Sequence, residues 1–125
     1  LAKNMPKIYF HPKANKPGDD KTHYRLFYGK GAAFELNKTT QINNITDGLS
    51  NTLMAVEAEE PVVWTNPNDL AFDPTKALPK MLSIDGKFSA AYCDGSVRTF
   101  KMPIDQEILK LLIQKNDGKF IPEVP

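Results

Sequence analysis

Alternating apolar and polar residues mark several short strands in the first half of the chain. Residues 23–28 (HYRLFY) place Tyr24 and Tyr28 on one face, which predicts a β-strand with a buried aromatic face. Residues 52–57 (TLMAVE) are compact, apolar and bounded by turn-forming residues, so they predict a buried strand. A shorter apolar run at 7–10 (KIYF) predicts a further strand.

A β-hairpin is the clearest local signal. Residues 88–93 and 96–100 are predicted as two strands, joined by an Asp-Gly dipeptide at 94–95 that favours tight two-residue turns. A two-residue loop sets Tyr92 opposite Val97. Both faces of this hairpin mix apolar and polar side chains, so we expect both to be at least partly covered.

A long loop and one helix account for much of the rest. Residues 61–79 contain four prolines and therefore predict an irregular loop that wraps the domain. Asp105 predicts the N-cap of a C-terminal helix. The helix is expected to bury Ile108, Leu111 and Leu112, to carry Lys115 in its last turn and to stop at Asp117-Gly118.

The order of these elements predicts an α+β fold. It comprises an antiparallel sheet, the long wrapping loop, the β-hairpin at Asp94-Gly95 and the C-terminal helix. The 125 residues fit a single soluble domain over 1–125. The one cysteine, Cys93, excludes an internal disulfide.

The net charge of +1 conceals unlike segments. Residues 1–38 contain eight Lys or Arg against three Asp or Glu, whereas residues 39–75 contain six acidic residues and no Lys or Arg. Overall near-neutrality excludes the broad basic surface of a nucleic-acid-binding domain, so no nucleic acid is expected as a partner. The two segments can attract each other within one fold, which we favour, or present opposite charges to neighbouring copies.

Side chains capable of catalysis are few. His11 and His23 are the available bases, Ser50 lies in a polar turn without a Gly-x-Ser-x-Gly motif, and Cys93 has no basic neighbours to lower the pKa of its thiol. We therefore expect no enzyme and no catalytic residues.

Metal and cofactor motifs are also missing from the sequence. The two histidines lack zinc-ligand spacing, and the glycines do not form a phosphate-binding loop. No cofactor is expected, although loop carboxylates leave a bound cation such as calcium open. Those carboxylates belong to Asp19, Asp20, Asp47, Asp69, Asp73, Asp85 and Asp94.

Two further residues each allow two interpretations. Trp64, between two prolines, either anchors its own loop, which we favour, or stacks on a ligand. Glu57 ends an apolar strand, and if it points inward it needs a partner such as Arg25, Arg98 or the amides of residues 46–51. If it points outward, it is an ordinary solvated acid.

Six blocks of sequence occur in an order typical of one family: residues 45–52 (ITDGLSNT), 56–58 (VEA), 63–70 (VWTNPNDL), 72–74 (FDP), 78–80 (LPK) and 94–98 (DGSVR). With them, the chain from about Met5 to Ile121 resembles a large bacterial family of unknown function, also labelled extracellular solute-binding proteins. Members carry a prepilin-type cleavage and methylation segment at the N-terminus. Near the C-terminus they have a His followed nine residues later by Asp-Gly.

The chain departs from this family pattern at two places. Ile84 stands where the family has its His, and the sequence given lacks the N-terminal helix. The resemblance implies a pseudopilin-like head, the C-terminal part of a longer membrane-anchored protein. It further implies an extracellular or periplasmic, cell-surface location, partners among other envelope or pilus-like subunits, and membrane contact only through the missing helix.

The function implied by the resemblance is a non-enzymatic structural, assembly or surface-display role at the cell envelope. The alternative is a small-ligand or glycan-binding module that uses the Trp64 loop. The family-signature positions, expected to specify the fold or to contact a ligand, are Asp47, Gly48, Ser50, Asn51, Glu57, Trp64, Pro67, Asp69, Leu70, Asp94 and Gly95.

Overall fold

A computed structural model describes residues 2–35, 39–66 and 69–115. Over these residues the protein is an α+β domain with a five-stranded sheet and a C-terminal helix. The elements are β1 (Lys21–Tyr28), β2 (Leu53–Val63), β3 (Leu70–Ala71), β4 (Lys87–Tyr92), β5 (Val97–Lys101) and α1 (Gln106–Ile113). Short 3₁₀ helices occupy Ala2–Asn4, Lys7–Tyr9, Ile42–Asn44 and Leu49–Asn51.

The sheet is mixed, with strand order β3-β1-β2-β4-β5. Neighbouring strands are antiparallel except β1 and β3, which pair in parallel through Phe27 with Leu70 and Tyr28 with Ala71. The predicted antiparallel sheet is therefore correct for four strands and wrong for β3. Residues 70–71 lie in the predicted wrapping loop and join the sheet through a long-range pairing that no local pattern indicates.

One face of the sheet packs against α1 and forms the core. Side chains alternate between faces along a strand, so Val56 and Ala58 of β2 and Phe88 and Ala90 of β4 lie together on the buried side. The helix contributes three buried side chains, those of Leu109, Leu112 and Ile113.

The opposite face of the sheet is named here the open face. The register sets Tyr24 beside Glu57, Leu26 beside Ala55, and Ala91 beside both Ala55 and Val97. The open face comprises Tyr24 and Leu26 of β1, Ala55 and Glu57 of β2, Ser89 and Ala91 of β4, and Val97 and Thr99 of β5. Its side chains are small near the middle, and Val97 is 69% exposed.

The prediction of a strand at 23–28 is confirmed, but the expected burial of its tyrosines is wrong. Tyr24 is exposed on the open face, whereas Phe27, on the other side of β1, is fully buried. A tyrosine hydroxyl favours a position within reach of water, so the core takes the phenylalanine instead. The predicted strand at 52–57 is also confirmed, and it continues to Val63.

The predicted hairpin is confirmed with a register that differs by one residue. Ala91, and not Tyr92, faces Val97, because the loop contains the three residues 93–95. Gly95 adopts a φ of 87° and its N–H donates to Tyr92 O at 3.0 Å. A glycine in this left-handed region is typical of three-residue hairpin loops.

The predicted strand at 7–10 is wrong. Lys7–Tyr9 form a 3₁₀ helix in which Tyr9 N donates to Pro6 O at 3.0 Å. Proline has its φ fixed near the value of a helical turn, which favours this start. The helix is held against β1 by the Thr22 hydroxyl, which donates to Tyr9 O at 2.9 Å.

The C-terminal helix has the predicted N-cap. The Asp105 carboxylate accepts a hydrogen bond from Glu107 N at 2.8 Å. Leu112 is buried and Ile108 packs partly against the core, as predicted, while Leu111 is only half-buried. The helix ends at Ile113, so the position predicted for Lys115 in its last turn is wrong, and the predicted stop lies outside the described residues.

Candidate functional site

Two of the predicted signature segments meet in the structure. Cys93 N donates to Thr52 O at 2.9 Å, and Asp94 N donates to Leu49 O at 3.1 Å. These bonds fasten the turn that precedes β2 to the loop between β4 and β5. Within that turn, Asn51 Nδ2 donates to Asp47 O at 3.0 Å. The contacts between these two segments therefore join β2 to the β4–β5 hairpin at one end of the sheet.

Gly48 is required at its position by the backbone. Its φ is 99°, and a Cβ there would lie 3.2 Å from Asn51 Nδ2. Its carbonyl accepts the Thr52 hydroxyl at 3.1 Å. Ser50, in the same turn, is exposed.

Asp94 organises the hairpin loop through its carboxylate. Oδ1 accepts the Ser96 hydroxyl at 2.6 Å and Ser96 N at 2.9 Å. These two bonds, the hydroxyl bond first, lower the pKa of Asp94 from its ordinary value of 3.8. The ionised carboxylate is thus favoured by the folded state.

We expect Asp94→Asn to change how stability depends on pH. A carboxylate whose pKa is lowered on folding stabilises the fold above its unfolded pKa and loses that contribution as pH falls through the folded value. An Asn side chain can still accept the Ser96 bonds. The wild-type advantage in urea unfolding should therefore be present at about pH 7 and shrink toward about pH 2. A difference that stays constant over this range would contradict the assignment.

Glu57 pairs with a histidine. His11 Nε2 lies 3.2 Å from Glu57 Oε1, and Ser89 N donates to Glu57 Oε2 at 2.9 Å. Glu57 has partners, as the inward interpretation requires, but its side chain lies on the open face and not in the core. The predicted partners, two arginines or the amides of residues 46–51, are wrong. The true partner lies in a loop that no sequence spacing links to β2.

His11 has both ring nitrogens engaged. Nδ1 accepts from Lys13 N and Ala14 N, each at 3.2 Å, so the hydrogen bonds assign the proton to Nε2, which faces Glu57. The residue is 6% exposed. A histidine held in this way positions a loop and has no ring nitrogen left to act as a base in the state described.

The other candidate groups are also held in structural contacts. His23 Nδ1 lies 2.8 Å from Ala58 O. Burial, and next the charge of Asp94, raise the pKa of the Cys93 thiol. Burial, and next the charge of Glu57, raise the pKa of Tyr24. A raised pKa disfavours the thiolate of Cys93 and the phenolate of Tyr24, the forms in which these groups act as nucleophiles.

Trp64 lies just past β2, where its ring stacks on Tyr9 with centroids 5.7 Å apart. The backbone N–H of Trp64 donates to Asp20 O at 3.1 Å. The ring thereby packs against the N-terminal segment. Of the neighbouring signature positions, Leu70 is buried in β3, Asp69 is half-buried beside it, and Pro67 lies outside the described residues.

The open face contains an apolar cavity of about 430 Å³, in which Ala55 and Ala91 form the middle and Tyr24 and Val97 the sides. A second cavity of about 380 Å³ adjoins it at Tyr24, Glu57 and Ser89, and Ile84 also lines that second space. The groove formed by these two cavities was not predicted from the sequence. The alternation of small apolar residues along β2 and β4 was the available signal.

Two further cavities are more polar. One of about 470 Å³ adjoins Lys115 and Glu35, and one of about 220 Å³ adjoins Arg25 and Lys80. Trp64 lines none of these four cavities.

Within residues 2–35, 39–66 and 69–115, no group of three or more His, Cys, Asp or Glu side chains is arranged to hold a metal ion. In the same ranges, no helix has the length and apolar character needed to cross a bilayer.

The fold and this groove define an α+β domain with a mixed sheet that is packed on one face and open on the other. Comparison with family models, with curated proteins and with solved structures finds no significant match.

Proposed function

We propose that this domain is the non-enzymatic head of a pseudopilin-like envelope protein, located outside the cytoplasmic membrane, with a role in assembly or surface display. The observation that carries the proposal is the open face. It exposes Val97 and a groove of small side chains, next to the edge strand β5. Exposed apolar surface of this kind marks a contact site for another protein.

The partner we assign to the open face is a second copy of this chain. A two-fold contact buries the same patch on both subunits, and within the described residues no strand pairs with the outer edge of β5 beside the groove. Ala55 and Ala91 allow a close approach between two sheets or between a sheet and a helix. The larger side chain of Tyr24 then borders the contact on one side.

The chemistry of the polar groups supports a non-enzymatic role. His11 and Glu57 contact each other, His11 also accepts hydrogen bonds from loop backbone N–H groups, and Glu57 also accepts one from Ser89 N in β4. The raised pKa of Cys93 disfavours its thiolate. The stack of Trp64 on Tyr9 supports an anchoring role for this tryptophan over the alternative of a ligand-binding loop.

We expect Val97→Lys to weaken self-association of the purified chain by about tenfold or more, because a charge replaces an exposed apolar side chain that borders the groove and is buried in the contact. Ile42→Lys is the matched control. Ile42 is 71% exposed, close to the 69% of Val97, but lies in the 3₁₀ helix Ile42–Asn44, away from the open face. Sedimentation equilibrium over a range of concentrations measures both variants.

Equal association of the two variants would contradict the assignment of the open face. The anchored-head proposal has a separate requirement, an apolar stretch of about 20 residues upstream of Leu1 in the gene. A full-length reading frame that lacks this stretch would contradict it.

A further inference from the structure

A second exposed apolar surface includes residues near the N-terminus of the chain. Ile8, in the 3₁₀ helix Lys7–Tyr9, is 79% exposed, and the adjacent Tyr9 is 42% exposed. Tyr9 stacks on Trp64 with an interplanar angle of 25°. We name Ile8, Tyr9 and Trp64 the aromatic patch.

The aromatic patch is held in place by the sheet. The Thr22 hydroxyl donates to Tyr9 O at 2.9 Å, and Trp64 N donates to Asp20 O at 3.1 Å. Lys21 pairs with Val63 at this end of β1 and β2. Both aromatic rings are therefore fixed relative to the same strand end, and little side-chain entropy is lost when the patch contacts another surface.

The segment that carries Ile8 and Tyr9 has a positive net charge. Residues 1–21 contain five lysines and two aspartates. Lys3, Lys7 and Lys21 are exposed, whereas the Asp19 carboxylate is engaged by Lys16 N at 2.8 Å and by Asn15 Nδ2 at 3.1 Å. A patch of Ile, Tyr and Trp beside several lysines thus complements an anionic surface with an apolar interior.

We propose that the aromatic patch lies on the surface of a bilayer that contains anionic phospholipid. Trp64 and Tyr9 occupy the headgroup level, Ile8 enters the boundary with the acyl chains, and the lysines contact lipid phosphates. The near-neutral charge of the whole chain excludes a broad basic footprint, so the contact is local and reversible. It goes beyond the proposed function, in which only an upstream segment touches the membrane.

The single tryptophan of the chain reports on this contact directly. We expect Trp64 emission to shift to the blue when the chain is mixed with vesicles of phosphatidylcholine and phosphatidylglycerol in equal parts. Lipids brominated on the acyl chains should quench it. Vesicles of phosphatidylcholine alone should bind about tenfold more weakly, and about 1 M NaCl should weaken binding to the anionic vesicles, because salt screens the lysines.

Ile8→Ser tests the apolar part of the contact. We expect about tenfold weaker partitioning to the anionic vesicles, while Ile42→Ser, at an equally exposed isoleucine outside the patch, leaves it unchanged. Lys3→Gln together with Lys7→Gln should weaken binding further. Circular dichroism of each variant checks that the fold is retained.

Three results would overturn the proposal. They are the absence of any shift with anionic vesicles, equal partitioning of Ile8→Ser and Ile42→Ser, and a shift produced by poly-glutamate but not by vesicles. The last result would point to an acidic protein as the partner. Val97→Lys leaves the aromatic patch intact and should bind vesicles as the wild type does, so failure here is distinct from failure of the open-face contact.

Discussion

Lys115→Met is expected to lower the free energy of unfolding by about 3–5 kcal/mol. The Lys115 ammonium donates to Ala32 O at 2.8 Å and to Glu35 Oε2 at 2.7 Å. Its side chain is 4% exposed and that of Glu35 16%. Removing one charge of a buried pair leaves the other without its counterion in a medium that solvates it poorly, and that cost dominates the effect. Urea unfolding at neutral pH measures it.

The control for this prediction is Lys13→Met. Lys13 lies 2.6 Å from Asp85, a distance like that of the buried pair, but both side chains are well exposed. The same substitution should cost no more than about 1 kcal/mol there. A double change, Lys115→Met with Glu35→Leu, should recover much of the loss because no charge remains buried. Equal costs for Lys115→Met and Lys13→Met would show that burial is not the cause.

The buried pair was beyond the reach of sequence reasoning. Lys115 was assigned to the last turn of the helix because basic residues favour that position. The helix stops two residues earlier, and the Glu35 partner is 80 positions away in the chain. Local preference places a charge near a helix end, but only the packed fold decides which distant carboxylate it meets.

Elements with strong local signals were predicted correctly. The strands β1 and β2, the hairpin and the Asp105 cap each have a pattern contained within a few residues. The hairpin register was missed because Gly95 provides a third loop residue at positive φ, and the Asp94 carboxylate fixes that loop through Ser96. An Asp-Gly dipeptide suits both loop lengths, so the sequence alone did not choose between them.

Elements that depend on distant contacts were missed. Residues 7–10 have the composition of a strand but find no strand partner, and Pro6 starts a 3₁₀ turn instead. Strand β3 has only two residues and exists through its parallel pairing with β1. Neither outcome is encoded by periodicity within the segment.

In the candidate site, too, local features were predicted and contacts between distant segments were not. The turn at 47–52 and the loop at 93–95 were recognised separately, but their contact was not, and neither was the His11 partner of Glu57. A hydrogen bond between His11 and Glu57 joins the basic and the acidic segment, while Lys13 pairs with Asp85 outside the acidic segment.

Gly29→Ala should destabilise the fold by at least about 3 kcal/mol. Gly29 follows β1 directly, with a φ of 146°, and a Cβ on it would lie 2.2 Å from Phe72 O, a backbone atom that cannot rotate away. Relief of this overlap requires the chain after β3 to move from β1. That movement would break the hydrogen bond from Phe72 N to Tyr28 O, now 2.7 Å long. Thermal and urea unfolding measure the loss.

Gly86→Ala is the matched control for steric overlap. Gly86 also has a positive φ, 71°, but a Cβ there would meet nothing within 4 Å. We expect this variant to cost only about 1–2 kcal/mol, the strain of a left-handed alanine. The difference between the two variants therefore isolates the close approach of β1 to the chain after β3. If both variants lose the same stability, the parallel edge of the sheet tolerates displacement and contributes little to the fold.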